Sequence, residues 1–181
     1  MNYYGSRELA NSFRTVRKNT ILVAQDIPED KYSFRPAPDT RSVGELLSHI
    51  ALSKGFQEQV HAKERRTNLD GFNFPELMQR LSAEEKTPRS KAQVIELLTT
   101  SGDAWAKWLE GLDDAFLGEA VTMPAGAPPP GFRTRFDMLL SVKEHEMHHR
   151  GQLMMIERMV GVVPHLTRDM QARFAAAMAR K

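Results

Sequence analysis

The segment KEHEMHHRGQ, residues 143–152, places three of the chain's six histidines within five positions. An α-helix turns by about 100° per residue, so side chains three and four positions apart share one face. Apolar residues at this spacing predict a long amphipathic helix around the segment: Met138, Val142, Leu153, Ile156 and Val160. On this helix His145 and His149 lie on or beside the apolar stripe, whereas His148 turns away from it by roughly a right angle.

Two inward-facing imidazoles one helical turn apart indicate a metal site. A buried neutral histidine needs partners for both ring nitrogens, and burying two of them side by side calls for a specific reason. A divalent metal ion is the commonest such reason, because imidazole is its most frequent nitrogen ligand. The residues alone leave two alternatives open. His145 and His149 could bond to each other and to backbone carbonyls, or His145 could pair with His148 instead.

The glutamates on either side of His145 have three interpretations. Glu144 or Glu146 could accept a hydrogen bond from a metal-bound imidazole and so orient the ring. Either could act as a base on metal-bound water. Either could equally be an acid on the solvated face of the helix, so no catalytic residue is assigned.

The composition is typical of an ordinary globular chain. The 181 residues, 41% hydrophobic and 27% charged, suit a single domain over residues 1–181. The absence of cysteine excludes disulfides, thiolate ligands and a protein thiol nucleophile. The net charge of +2 is spread along the chain, so no nucleic-acid-binding stripe stands out. No apolar run nears about 18 residues and the start lacks a signal-peptide core, so we expect a cytoplasmic protein without a membrane or nucleic-acid partner.

Apolar periodicity predicts four long helices, at residues 6–25, 42–63, 90–112 and 134–161. Between the second and third lies an insertion, residues 65–90, with about two turns of helix after Pro75, and segments of this length often border a binding site. A short last helix is predicted over residues 168–179, and no strand shows sustained alternation. The predicted fold class is therefore all-α, an antiparallel four-helix bundle with short extra helices.

His49 is the candidate third ligand. It is the one histidine in the first two-thirds of the chain that lies near an apolar stripe well inside a helix. Bundle sites are built from side chains that project inward from facing helices, so His49 could meet the pair on the fourth helix. Three protein ligands with water in the free position are typical of a catalytic metal site. Taken alone, the pattern favours a half-buried helix histidine bonded to a carbonyl, and His61 is predicted to lie on the surface.

Two stretches of the chain resemble the DinB-like superfamily of four-helix-bundle metalloproteins. RSVGELLSHIA, residues 41–51, is similar to the family's GELLxHI-like stretch, and HEMHHRGQL, residues 145–153, is similar to its HxxxHRGQ motif. The superfamily also contains the bacillithiol S-transferases and the mycothiol-dependent maleylpyruvate isomerase. The resemblance covers most of the chain. It implies a metal triad of His49, His145 and His149, and it leaves His148 without a role as a ligand.

The same resemblance implies a metal, an assembly and a chemistry. The metal is commonly zinc or nickel with water completing its shell, and members typically form dimers by packing helices of two bundles. Where functions are known, the metal activates a low-molecular-weight thiol as thiolate. We therefore expect a homodimeric, metal-dependent enzyme that transfers such a thiol to an electrophilic small molecule. The alternatives are a metal-dependent hydrolase and a non-catalytic, metal-stabilised stress or ligand-binding protein.

Overall fold

Helices account for most of the structure, a computed structural model that describes residues 4–179. The remaining ends of the predicted domain, residues 1–3 and 180–181, lie outside this description. In chain order the helices are α1 (Ser6–Asp26), α2 (Val43–Leu52), α3 (Gly55–Gln57), α4 (Phe74–Glu85), α5 (Lys91–Glu110), α6 (Asp114–Gly118), α7 (Arg135–Met159) and α8 (His165–Met178). The predicted all-α class is confirmed. No helix in residues 4–179 is long and apolar enough to cross a membrane.

The predicted second helix is divided into three pieces. After α2, two turn residues precede α3, which continues directly as a π-helical segment, Glu58–Lys63. One short antiparallel pair of strands, β1 (Ala120–Thr122) and β2 (Phe132–Thr134), was not predicted. Each of these strands has three residues, which is too short for the alternation that marks a strand in sequence.

Serine and threonine side chains explain where α2, α5 and α7 begin. Ser42 and Ser90 each accept a hydrogen bond from the backbone N–H three residues later, and each forms a capping box. Thr134 caps α7 in the same way by accepting from the N–H of Asp137. The last helix begins earlier than predicted, at His165, because the Pro164 carbonyl closes its first turn.

Helices α1 and α5 are antiparallel neighbours. In the first half of α1, Arg14 donates to Glu110 at the end of α5, with 2.6 Å between Nη2 and Oε2. Just beyond the end of α1, the Ile27 carbonyl accepts from Nζ of Lys91, the first residue of α5. These two contacts show that the helices run in opposite directions.

Helix α7 runs antiparallel to the segment formed by α2 and α3. His49 in α2 meets His145 in the middle of α7, and His61 meets Arg135, the first residue of α7. This arrangement places inward-facing residues of α2 directly opposite those of α7. The predicted histidine cluster depends on it.

The predicted insertion is occupied by α4, which carries the chain back along α2 and α3. Leu81 of α4 packs over Gly55, where an added Cβ would lie 2.7 Å from its Cδ2. Further along, Glu85 at the end of α4 reaches His49. The segment therefore borders the histidine cluster.

An ion pair is buried in the middle of the bundle. The side chains of Arg17 and Glu146 are 5% and 1% exposed, and Nη2 of Arg17 lies 2.9 Å from Oε2 of Glu146. Nη1 of Arg17 also donates to the Leu98 carbonyl over 2.7 Å. Gly102 makes room for this arginine, because an added Cβ would lie 2.8 Å from its Cγ. That space explains a glycine in mid-helix, where it costs about 1 kcal/mol relative to alanine.

Apolar clusters lie on either side of this ion pair. One is formed mainly by Val23, Ile27, Leu47, Leu98 and Leu153, and the other mainly by Leu9, Phe13, Trp105, Leu109 and Leu139. In a smaller third cluster, the strand residue Val121 packs with Val60 and Met138. The polar layer in mid-bundle thus separates two conventional apolar cores.

His61 is buried, so the predicted surface position is wrong. It is 1% exposed, donates from Nε2 to Oε1 of Gln57 over 2.9 Å, and accepts at Nδ1 from Arg135 over 2.8 Å. Burial, and then the charge of Arg135, lowers the pKa of His61 to about 4. His61 lies in the π-helical segment, whose wider turn shifts side chains away from the positions expected of an α-helix.

Candidate metal centre

The structure brings together the three histidines that the sequence singled out. Nε2 of His145 lies 3.3 Å from Nε2 of His49 and 3.1 Å from Nε2 of His149. One potential ligand atom from each residue falls within 4.8 Å of the other two. Helix α2 supplies the first histidine and α7 supplies the pair. Their role as metal ligands stays a prediction.

The spacing of the three nitrogens fits a metal ion. Imidazole nitrogens bind zinc at about 2.0–2.1 Å, which separates two nitrogens by about 3.3–3.4 Å in tetrahedral geometry and about 2.8–3.0 Å at right angles. The observed separations from His145 Nε2, 3.3 and 3.1 Å, lie within this range. Two of the three nitrogen separations therefore match those around a bound metal, and the third is within 4.8 Å.

Hydrogen bonds on the outer side of the rings direct lone pairs into the cluster. His49 donates from Nδ1 to Oε1 of Glu85 over 2.6 Å, and His149 donates from Nδ1 to Oε1 of Gln152 over 2.8 Å. A neutral imidazole that carries its proton on Nδ1 has a lone pair on Nε2. Nε2 of His145 therefore faces two lone pairs and can donate to only one of them. A cation between the rings would satisfy all three nitrogens.

Burial keeps the paired imidazoles in the form that binds metal. Burial, followed by the charges of His149 and His49, lowers the pKa of His145 to about 4. Burial also lowers the pKa of His149, although its hydrogen bond to Gln152 acts in the opposite direction. Neutral imidazole is the metal-binding form, so these two rings need not lose a net proton to bind a metal at neutral pH.

Glu85 is the residue of the site that sequence reasoning missed. Its Oε1 accepts from His49, and its Oε2 accepts from Nη2 of Arg41 over 3.2 Å. Burial alone would raise the pKa of Glu85, but the hydrogen bonds and charges of His49 and Arg41 outweigh it and lower the pKa. In sequence Glu85 is the second of two adjacent glutamates on a short helix, and no motif marks it.

The residues next to the cluster in sequence do not enter it. His148 is exposed, and its Nε2 accepts from Nε2 of Gln152 over 3.2 Å, which agrees with the predicted outward orientation. Glu146 is buried but bonds Arg17 instead of an imidazole, and Glu144 is exposed. The carboxylate that orients an imidazole comes from α4, not from α7.

A cleft of about 790 Å³ opens beside the cluster. His149, Gln152 and Glu85 form part of its wall, and its apolar wall consists of Pro36, Leu46, Met155, Ile156 and Met159. Clefts of about 300–1,000 Å³ are typical of small-molecule sites. A small molecule in this cleft would contact the histidine cluster directly.

We expect Glu85→Ala to weaken metal binding by about 10- to 100-fold, because His49 loses the acceptor that orients its ring. Competition with a chromophoric chelator measures this affinity. Glu84→Ala is the matched control, since the Glu84 side chain is 51% exposed and pairs with Arg89. Equal affinities of the Glu85→Ala variant and the unmodified protein would show that this hydrogen bond does not support the site.

Fold and site together define an all-α bundle with a three-histidine cluster between facing helices that could hold a metal ion. The chain belongs to the DinB superfamily, whose family model matches residues 12–153. This match spans the cluster, from before His49 to beyond His149.

Individual relatives agree with the family assignment. The chain is 25% identical over 157 residues to the uncharacterized protein YjoA of Bacillus subtilis strain 168, covering 86% of this chain and 91% of the relative. The crystal structure of that DinB-like protein superimposes with a TM-score of 0.62, at 25% identity, over 85% of this chain and 92% of the other. A putative DinB family member from Exiguobacterium sibiricum shares the fold, with a TM-score of 0.61 at 17% identity over 88% and 95% of the two chains.

Proposed function

We propose that this protein is a metal-dependent enzyme that transfers a low-molecular-weight thiol to an electrophilic small molecule. The observation that carries the proposal is the convergence of three Nε2 atoms beside a cleft of small-molecule size. His49, His145 and His149 would hold a divalent metal, for which we propose zinc or nickel. When bound, such a metal supplies positive charge that lowers the pKa of a thiol next to it.

The surrounding side chains orient the ligand set and the reactants. Glu85 and Gln152 fix the rings of His49 and His149 through their Nδ1 atoms. The cleft walls hold the two reactants close together, and proximity of this kind supplies a large part of many catalysed rate enhancements.

The carboxylates near the histidine cluster are already hydrogen-bonded to other side chains, and this favours thiol transfer over hydrolysis, which would need a base. Both oxygens of Glu85 are bonded, one to His49 and one to Arg41, and the carboxylate of Glu146 is bonded to Arg17. A thiol, with an ordinary pKa of about 8.5, needs far less help in losing its proton than water, at about 15.7. These two carboxylates are therefore not needed as bases in the proposed reaction.

Titration of the cobalt-substituted protein with thiols tests the proposal. We expect a sulfur-to-cobalt charge-transfer band with L-cysteine and other small thiols, and no such band with L-serine, which has a hydroxyl in place of the thiol. Transfer of the bound thiol to a test electrophile, compared with the uncatalysed rate, then tests turnover. Absence of the band with every thiol would count against the proposal, and a band without turnover would favour a ligand-binding protein.

We further propose that the protein is a homodimer that forms through α8. Within α8 only His165 is buried, and an isolated helix of this length is marginally stable in water. Four apolar side chains spaced four residues apart form an exposed stripe on this helix, between 36% and 70% exposed: Leu166, Met170, Phe174 and Met178. The same stripe on a second copy is a suitable cover, because two-fold dimers use one surface patch twice.

We expect Phe174→Glu to convert the dimer to monomer. Each of the two copies would lose about 1.5–3 kcal/mol of apolar burial, so the dissociation constant should rise by at least about 100-fold. Sedimentation equilibrium measures it. Ala172→Glu adds the same charge on the opposite face of α8 and should leave the dimer intact. A dimer that tolerates both substitutions equally must form elsewhere.

A further inference from the structure

A half-exposed guanidinium with unused donors stands at the cleft beside the histidine cluster. The side chain of Arg41 is 45% exposed, and its one hydrogen bond within residues 4–179 is the 3.2 Å contact with Glu85. Arg35, which lines the same cleft, is held more tightly, at 2.5 Å from the Thr40 carbonyl and 2.6 Å from Oε1 of Glu45. A guanidinium has five N–H donors, so Arg41 can bind a further acceptor.

Arg41 is directly connected to the cluster. Its partner, Glu85, is the carboxylate that also bonds His49. Burial is the main cause of the lowered pKa of both His145 and His149, and the positive charge of Arg41 lowers it further. A ligand group that accepts a hydrogen bond from Arg41 would therefore lie next to the histidine cluster.

Part of the cleft wall is apolar and exposed. Met155 and Met159 line it one helical turn apart, with 62% and 57% of their surface exposed. Methionine is flexible and polarisable, so such a wall adapts to apolar groups of different shapes. A ligand that fills the cleft would cover these two side chains.

The charges of the cleft suit a monoanion. Its basic lining residues are Arg35, Arg41 and Lys86, and its acidic ones are Asp39, Glu45 and Glu85. Three carboxylates would repel a dianionic phosphate more strongly than a carboxylate. The start of α2 offers no phosphate cradle, because the side chains of Ser42 and Glu45 and the carbonyls of Phe34 and Tyr32 already accept from its first backbone N–H groups. A planar carboxylate also matches the fork of a single arginine.

We propose that the cleft binds an amphipathic carboxylate. Arg41 pairs with the carboxylate group, and Lys86, exposed at the rim and without an ion pair within residues 4–179, adds positive charge. Met155 and Met159 contact the apolar part of the molecule. The inference rests on the proposed function, because it makes this carboxylate one of the two reactants that meet at the histidine cluster.

Isothermal titration calorimetry with three matched ligands tests the carboxylate preference. The ligands are 4-phenylbutyrate, 4-phenylbutanamide and 4-phenylbutyl phosphate, each titrated into zinc-loaded and zinc-free protein. We expect the carboxylate to bind at least tenfold more tightly than the amide and the phosphate in both forms. Arg41→Gln should remove the preference over the amide. Arg14→Gln should retain it, because Arg14 is a similarly exposed arginine, 40% by side chain, in an ion pair away from the cleft.

The apolar wall is tested with methionine substitutions on α7. Met155→Gln should weaken binding of the carboxylate and of the amide by a similar factor, since both ligands carry the same apolar part. Met147→Gln should change neither, because Met147 is 44% exposed on the same helix and does not line the cleft. Equal weakening by both substitutions would refute the assignment of this wall.

Four outcomes would overturn the inference: a preference that survives Arg41→Gln, a preference that requires zinc, tighter binding of the phosphate, and no preference for the carboxylate over the amide. The first two would show that another group, the metal included, binds the carboxylate. Failure here is distinguishable from failure of the proposed function. A cobalt charge-transfer band without carboxylate preference refutes only this inference, and carboxylate preference without the band refutes only thiol transfer.

Discussion

His149→Ala should abolish stoichiometric metal binding, whereas His148→Ala should leave it intact. The first substitution removes a nitrogen that lies 3.1 Å from Nε2 of His145 and reduces the ligand set from three to two. The second removes an exposed ring that packs edge-on against His149 and whose hydrogen bond within residues 4–179 is to Gln152. Elemental analysis of protein purified without a histidine tag should find about one metal per chain in the unmodified protein and in His148→Ala.

Thermal unfolding provides a second measurement of the same prediction. A ligand that binds only the folded state stabilises it by RT ln(1 + [L]/Kd), so added zinc should raise the Tm of the unmodified protein and of His148→Ala. It should not raise the Tm of His149→Ala. If both variants keep full metal content, the assignment of the three ligands is wrong, and if both lose it, His148 belongs to the site.

The orientations of His145, His148 and His149 could be predicted because α7 is a regular helix. Its apolar spacing placed His145 and His149 on the inner face and His148 outside, and the structure agrees. His49 could be named as a third ligand only with the help of the family resemblance, because a single histidine on a helix is commonly a half-buried residue bonded to a carbonyl. The three rings meet because α2 lies antiparallel to α7 in the register that places His49 opposite His145.

Residues whose positions depend on irregular or tertiary structure could not be predicted. Glu85 reaches His49 only because α4 returns along α2, and no local pattern encodes that path. His61 was misplaced because the spacing argument assumes 3.6 residues per turn, which the π-helical segment Glu58–Lys63 does not follow. Glu146 looked like a candidate partner for an imidazole, and only the fold shows that Arg17 takes it instead.

The ion pair of Arg17 and Glu146 also bears on the geometry of the site. Glu146 follows His145 directly in α7. One face of α7 therefore presents Glu146 to Arg17 of α1, and another presents His145 to His49 of α2. Both contacts depend on the rotation of α7 about its axis. Apolar packing is non-directional and tolerates small rotations. A charge-assisted arginine–carboxylate pair is directional, and it restricts the angles at which His145 and His149 can face His49.

Glu146→Ala should therefore destabilise the protein more than a typical substitution, by about 3–5 kcal/mol. It would leave the guanidinium of Arg17, only 5% exposed, without its counter-charge inside the bundle. The Leu98 carbonyl and the Ser101 hydroxyl would remain as its acceptors. Urea denaturation, followed by circular dichroism, measures the loss in free energy of unfolding.

Two further variants separate the buried charge from the loss of a contact. Glu110→Ala breaks the exposed ion pair with Arg14 and should change the free energy of unfolding little, because solvent screens that pair. The double substitution Arg17→Met with Glu146→Leu should recover much of the loss, since apolar side chains often replace a buried ion pair without net cost. If Glu146→Ala costs no more than Glu110→Ala, Arg17 is not a buried charge. If the double variant is stable but binds metal more weakly, the ion pair holds α7 at the angle that the histidine cluster requires.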